Sequence, residues 1–286
     1  MEPDLVIFGA LHRDLVATLL QPHQEATSNP VTFALSSGGV GANTARAAIR
    51  SQFVQTLRLV SPAGATGLAP DVATSGFEGI DICPVPVPGA QAGRYVAIVD
   101  TDGEVISGYS DTSACDAADA VSLLNECPAS ARSMVVDANL STKTLETLLS
   151  SLPIARYALA VSPVKARKLI TLAQLVDTLF CNRLEAASIT GLSGDTPLNT
   201  LSDALGTCGF TTHVLTDGGA DLLVLEDGTR TPVTVEGPQL TGSGNANGAG
   251  DALAGATIAA CHAGQSLTSA VSSAGLAAAR QIMTQA

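Results

Sequence analysis

The sequence predicts an α/β fold: a mainly parallel, doubly wound sheet carrying a small lid of strands. Three observations support this. Short β-type runs alternate with segments of helical apolar spacing, the order that a parallel sheet with crossover helices requires. The alternation breaks at a hairpin signal, where residues 94–99 and 104–108 flank Asp100-Thr-Asp-Gly103. No repeat, low-complexity tract or linker divides the 286 residues, so a single domain over 1–286 is expected.

In chain order, strands are predicted at 5–8, 56–60, 133–136, 157–161, 178–180 and 212–215, and helices at 42–49, 145–149 and 201–205. Ligands of such sheets bind at the carboxyl ends of the strands. The hairpin makes a flap beside the sheet, to which residues 14–35 add further strands, and the Pro-rich piece 84–88 reads as the entry into it.

Composition narrows the function. Apolar residues make up 46% and charged residues 14%, with no Trp, which is globular and not disordered. The net charge of −12 includes only three lysines, Lys143, Lys165 and Lys168, so no basic stripe exists for a polymeric nucleic acid. Backbone amides and a divalent cation can still neutralise a small anionic ligand. The six cysteines lack C-x-x-C or zinc spacing, and the four histidines are dispersed. The N-terminus lacks signal-peptide character and the apolar runs at 252–261 and 274–279 are too short to span a bilayer, so a cytoplasmic protein without membrane contact is expected.

Three segments carry chemistry. The first, Thr241 to Asp251, ends in Asn247-Gly248-Ala249-Gly250-Asp251 and leads into a helix-compatible run. Free amides at such a junction form an anion hole, and an Asp in the first turn can take a proton from a hydroxyl while the amides hold a transferred phosphoryl group. An ordinary Gly-rich helix start is the equal alternative. The second, Ser36-Ser-Gly38-Gly39-Val-Gly-Ala-Asn43, again sets glycines before a helix, with Asn43 able to bond a sugar-like diol; a plain tight turn is its alternative, and its spacing fails as a dinucleotide fingerprint. In the third, Asn182 and Glu185 share one helical face, suited to ordering water on Mg²⁺ or simply to a capping box. Ser162-Pro-Val-Lys165 has a bare S-x-x-K pattern without its companion motifs, and no P-loop is present.

Together and in this order, G-G-V-G-A-N at 38–43, N-R-L-E at 182–185 and N-G-A-G-D-A at 247–252 resemble the signatures of the ribokinase-like (PfkB) family of carbohydrate and nucleoside kinases, over nearly the whole chain. The resemblance implies a ribokinase-like three-layer α/β/α fold with lid strands inserted at about 12–36 and 90–110. It implies ATP-dependent phosphorylation of a primary hydroxyl of a sugar or nucleoside, with Asp251 as base and Gly248, Ala249 and Gly250 as anion hole. Asn182, Thr216, Gly218 and Asn247 would contact the nucleotide, and Glu185 would act on Mg²⁺ through water, with a monovalent cation as an optional addition. His12, Asp14, Gly38, Gly39 and Asn43 would meet the acceptor. The flap, marginal alone, would pair in a homodimer.

Residues 135–140, 181–186 and Asn245 are similar to bacterial pseudouridine kinases, which would make the acceptor a C-linked nucleoside; a ribose-like or ketohexose-like acceptor, or a non-catalytic nucleotide or sugar sensor, are the alternatives. The chain departs from the family pattern at Asn247 (usually Thr), His12 (commonly Asn), Ala65-Thr66 (frequently acidic) and Asp221 (usually Gly).

Overall fold

The computed structural model describes residues 2–65, 67, 76–103, 105–218, 222–234 and 248–279. Its strands are β1 Leu5–Phe8, β2 His12–Leu19, β3 Val31–Gly38, β4 Leu57–Ala63, β5 Ile80–Pro86, β6 Arg94–Val99, β7 Val105–Asp111, β8 Ser133–Asp137, β9 Ala155–Leu159, β10 Thr178–Asn182, β11 His213–Thr216, β12 Leu222–Glu226 and β13 Thr229–Val233. Nine of them form one sheet in the order β13-β12-β11-β10-β9-β8-β1-β4-β5, parallel from β11 to β5 and antiparallel at the β12 and β13 edge. Because these seven strands run the same way, Gly9, Asp137, Asn182 and Thr216 all fall on one edge of the sheet.

Burial on both faces explains why the central strands read as continuous apolar runs: Leu5, Val6, Ile7 and Phe8 are all buried. Their side chains alternate between two cores. Val6 and Phe8 join Leu145, Leu148, Ala186 and Leu201 on one side, and Leu5 and Ile7 join Ala42, Ala45, Leu253 and Ile258 on the other. The helices Thr142–Ser151, Arg183–Thr190 and Leu198–Thr207 therefore cover one face, and Val40–Arg50 and Ala249–His262 the other. This is the three-layer α/β/α architecture.

A second sheet, in the order β3-β2-β6-β7, stands beside the first. The expected turn at 100–103 joins β6 to β7, with the amide of Gly103 donating to the carbonyl of Asp100. Residues 84–88 lead from the main sheet to lid strand β6, and Pro84 and Pro86 themselves lie in β5, the outermost strand of the main sheet, where a missing N–H is tolerated. The β12–β13 hairpin was not foreseen, although Asp227-Gly228 is its signal: both residues have positive φ, 50° and 73°, as a type I′ turn demands.

The two helices on the Leu5 face approach closely. A Cβ on Gly255 would sit 2.2 Å from the carbonyl oxygen of Thr44 and 3.0 Å from the Ala47 Cβ. Gly255→Ala should therefore lower stability by about 1–3 kcal/mol, the usual effect of overpacking. Gly206→Ala, in a helix with open space around it, should be neutral or raise stability by up to about 1 kcal/mol. Equilibrium urea denaturation of both variants checks this, and equal midpoints would refute the close packing.

Candidate active site

The site begins where β1 ends and the chain turns into the lid. Gly41 packs on Gly9, and the amide of Ala42 donates to the carbonyl of Ala10, fixing the start of the Val40–Arg50 helix on the sheet edge. Gly39 permits this approach: its φ is +103°, and a Cβ there would lie 2.3 Å from the Ala10 oxygen. Gly38 leaves room for the Asp14 carboxylate, which a Cβ would meet at 2.1 Å. His12 Nδ1 lies 2.7 Å from Asp14 Oδ1, so the two are held as a pair on β2.

Asp251 sits at the third position of the Ala249–His262 helix, behind Gly248, whose φ of +90° turns the chain into the helix. Among the described residues no side chain caps this helix, and the amides of its first turn are directed out of its N-terminus. Asn43 Nδ2 donates to Asp251 Oδ2 at 2.9 Å. Arg46 in turn donates to Asn43 Oδ1 at 2.6 Å and to the carbonyl of Ser37 at 2.9 Å, with its guanidinium over the Phe77 ring. Arg46 thus fixes the amide so that nitrogen faces the carboxylate. Burial pushes the Asp251 pKa up to about 6, and the charge of Asp137 adds to this; the Asn43 bond, His12 and Arg46 oppose it. A carboxylate near 6 is ionised at neutral pH yet basic enough to accept a proton.

A cavity of about 880 Å³ opens here, in the range of small-molecule sites. Of the residues named from the sequence, His12, Asp14, Gly39, Asn43, Gly248 and Asp251 line it. One face of the lid closes it: Asp14, Val16, Ser36, Tyr95, Ala97 and Ser110 line the cavity, and their register places them side by side.

Asn182, Glu185, Thr216 and Gly218 do not line that cavity. They stand farther along the same sheet edge, with Asn182 and Thr216 paired in register at the ends of β10 and β11. The capping box is present: Asn182 Oδ1 accepts from the Glu185 amide at 3.0 Å, and Glu185 Oε2 accepts from the Asn182 amide at 2.9 Å. Burial lifts the Glu185 pKa to about 6, lowered somewhat by the Asn182 amide and raised again by Asp251, which places the two carboxylates within electrostatic reach. Arg183 pairs with Asp217 through two bonds, tying β10 to the turn after β11 that contains Gly218 at φ +60°. Asn247, Asn245, Thr66 and Asp221 lie outside the described residues.

The structure adds residues that the sequence reading passed over. Arg46 had no motif to mark it. Asn139 lay within a quoted segment but received no role, and Lys165, set aside with the S-x-x-K pattern, is on the cavity wall with Thr112 and Ser162. Their contributions come from distant segments, and only the folded edge brings them together.

A three-layer α/β/α fold with a β lid, a half-buried carboxylate at a helix N-terminus and an anion-ready turn beside it define a phosphotransferase-type site. The model of the pfkB family carbohydrate kinases matches residues 2–285. The chain belongs to this family and is a sugar or nucleoside kinase. It is 27% identical over 260 residues to a pseudouridine kinase of Escherichia coli, covering 86% of this chain and 82% of that protein. A carbohydrate kinase from Agrobacterium tumefaciens superposes with a TM-score of 0.74 at 24% identity, over 98% of this chain and 90% of that one. Ribokinase of Arabidopsis thaliana, complexed with ribose and ATP, gives 0.68 at 17% identity over 98% and 92%. No helix among the described residues is long and apolar enough to cross a membrane.

The raised pKa values carry a stability consequence. A carboxyl whose folded pKa lies above its unfolded value is protonated more in the folded state, so stability falls as pH rises from about 4 to about 6. Asp251→Asn should therefore be more stable than wild type at pH 8, by about 1–3 kcal/mol, with the gain shrinking towards pH 4. Thermal unfolding across this range checks the sign; a variant less stable at pH 8 would contradict it.

Proposed function

We propose that the chain transfers the γ-phosphoryl group of ATP to a primary hydroxyl of a sugar or nucleoside, with Asp251 as general base, and that the acceptor is pseudouridine. The observation that carries the reaction is the position of Asp251: a half-buried carboxylate with pKa about 6, lining the cavity in the first turn of a helix.

Asn43 occupies Oδ2 of Asp251, which leaves Oδ1 to accept the acceptor's hydroxyl proton. As that proton moves, the hydroxyl oxygen bonds to the γ-phosphorus and the bond to the departing ADP oxygen breaks. The amides around Gly248, Ala249 and Gly250 hold the charge on the phosphoryl oxygens, aided by the helix dipole. Asp14, oriented by His12, accepts from the acceptor's other hydroxyls, with Asn43 and the Gly38-Gly39 turn completing that wall. Lid contact excludes water from the transfer.

Asn182, Thr216 and Gly218, at the neighbouring strand ends, hold the nucleotide, and Asn247 is assigned to the same group from the sequence. Glu185 would hold Mg²⁺ through water, and the ion would supply positive charge to offset that of the phosphates. The donor set suits it: Glu185 is a single buried carboxylate, and an ion held mainly by phosphates and water needs only one or two. Support for pseudouridine is the 27% identity to the kinase of that name, together with the similar segments 135–140 and 181–186.

The outer face of the lid supports a homodimer. Phe33, Leu35 and Tyr109 are exposed on it, and Leu15, Val96 and Ile98 lie between them in register. An apolar sheet face of this kind is covered by a partner in most soluble proteins.

Two experiments test these assignments. Asp251→Asn should lower kcat by about 10²–10⁴ with ATP affinity nearly kept, and wild-type turnover should decline as pH falls through about 6. ADP release across a panel of sugars and nucleosides that includes pseudouridine reads both; wild-type-like turnover in the variant removes the base assignment. Phe33→Asp should shift the mass to that of a monomer in sedimentation equilibrium, and a wild type already monomeric at high concentration rules out the lid dimer.

A further inference from the structure

A second polar group lies on the cavity wall and takes no part in the steps above. Lys165 Nζ donates to Thr112 Oγ1 at 2.9 Å and to Asn139 Oδ1. Thr112 and Asn139 are each more than nine-tenths buried, and both border the cavity with Lys165. The backbone amide of Asn139 donates at 3.0 Å to the carboxylate of Asp137, which is wholly buried and also accepts from the amide of Ala10 at 2.7 Å. The Lys165 charge is thus tied through Asn139 to a buried carboxylate, which holds the ammonium in place.

The hydrogen-bond inventory of this group is one-sided. An ammonium has three donors and no acceptor, and two donors are used. The oxygen of Asn139 is occupied, and Thr112, accepting from Lys165, keeps its own O–H to donate. The group therefore offers the cavity donors, whereas Asp14 and Asp251 offer acceptors. An acceptor molecule that carried hydroxyls alone would satisfy the carboxylates equally well without calling for this arrangement.

The backbone adds an independent observation. Val161 has a φ of +72°, and the amide of Ser162 donates to the carbonyl of Ala160 at 2.9 Å. This is a γ-turn of the rare positive-φ kind, formed at a β-branched residue, where positive φ is an outlier. It reverses the chain between β9 and the Pro163–Ala166 turn of helix, and Val161, Ser162 and Lys165 all border the cavity as a result. Strain of this kind concentrates at ligand-binding positions.

We propose that Lys165, held by Asn139 and Thr112, is a specificity-determining residue that donates to an unprotonated oxygen, a ring carbonyl or a carboxylate, elsewhere on the acceptor than the phosphorylated hydroxyl. This rests on the kinase reading of the same cavity. Such a site rejects an acceptor lacking that oxygen, because the ammonium is then left in the closed cavity without its partner.

The test compares kcat/KM for pseudouridine, which bears ring carbonyls, D-gluconate, which bears a carboxylate, and D-ribose, which in its ring form bears neither. Wild type should prefer one of the first two over ribose, and Lys165→Met should reduce that preference by at least about tenfold. Lys165→Gln keeps a donor without the charge: a preference that survives in it identifies a carbonyl, and one that is lost identifies a carboxylate. An unchanged preference in Lys165→Met, or an equal loss for all three molecules, overturns the proposal. If wild type phosphorylates none of them, the kinase reading fails separately, and calorimetric binding of the same three molecules decides the role of Lys165. Selective binding that Lys165→Met abolishes supports it, whereas equal binding, or no binding by wild type, overturns it.

Discussion

The site depends on the close contact between the Val40–Arg50 and Ala249–His262 helices. Gly255 against Thr44 lets the two axes approach until Asn43, one residue away from that contact, reaches Asp251 in the first turn of the other helix. A larger residue at Gly255 would separate the helices and lengthen this bond before it disturbed anything else in the site. Arg46, a turn beyond Asn43, then decides which end of the amide faces the carboxylate. Without it the amide could turn its oxygen towards Asp251, replacing attraction by repulsion. The cavity floor is therefore set by helix packing, and the lid is hung on the same contact through the Gly38-Gly39 turn.

Two sets of shifted carboxylates stand in contrast. Asp217 and Asp4 are held below their usual range by Arg183 and by Arg132 with His262, against the opposing effect of burial where it applies, and Glu226 by the amides of Leu267 and Thr268. These tie elements together at the periphery. Asp251 and Glu185 are raised by burial, so the folded state bears the cost of keeping them ionised. Asp137 is also raised by burial but accepts the backbone amides of Ala10 and Asn139, and it anchors the strand ends of β1 and β8. The groups that weaken the fold are those beside the proposed phosphoryl path, the usual exchange of stability for reactivity.

Much of this was legible in the sequence because it depends on local rules. Continuous apolar runs announced the parallel strands, Asp100-Thr-Asp-Gly103 announced the lid hairpin, and three ordered Gly- and Asn-bearing segments announced Asp251, Asn43 and Asn182. The capping box at Asn182 and Glu185 is also local, which is why the same residues supported both a structural and a chemical reading. What sequence could not supply was convergence. Arg46 matters through a bond one helical turn back, and Lys165 through partners 26 and 53 residues away. That Pro84 and Pro86 lie in a strand was not read, because edge position, unlike strand propensity, is a property of the whole sheet. The β12–β13 hairpin was missed although its Asp-Gly turn was in view.

Charge placement links the acidic chain to an anionic substrate. With a net charge of −12, the surface as a whole repels phosphate, yet Arg46, Arg50 and Lys165, three of only 14 basic residues, border the cavity. Arg46 and Lys165 are engaged there by neutral oxygens, of Asn43 and Ser37 in one case and of Asn139 and Thr112 in the other, so neither charge is cancelled by direct pairing. Their potential adds to that of the helix start at Gly248, where the field of a low-dielectric cleft is strongest. Arg46, Arg50 and Lys165 share the cleft with Asp14 and Asp251, so the positive charge there is local and set where a small phosphate ester can meet it within an otherwise repelling surface.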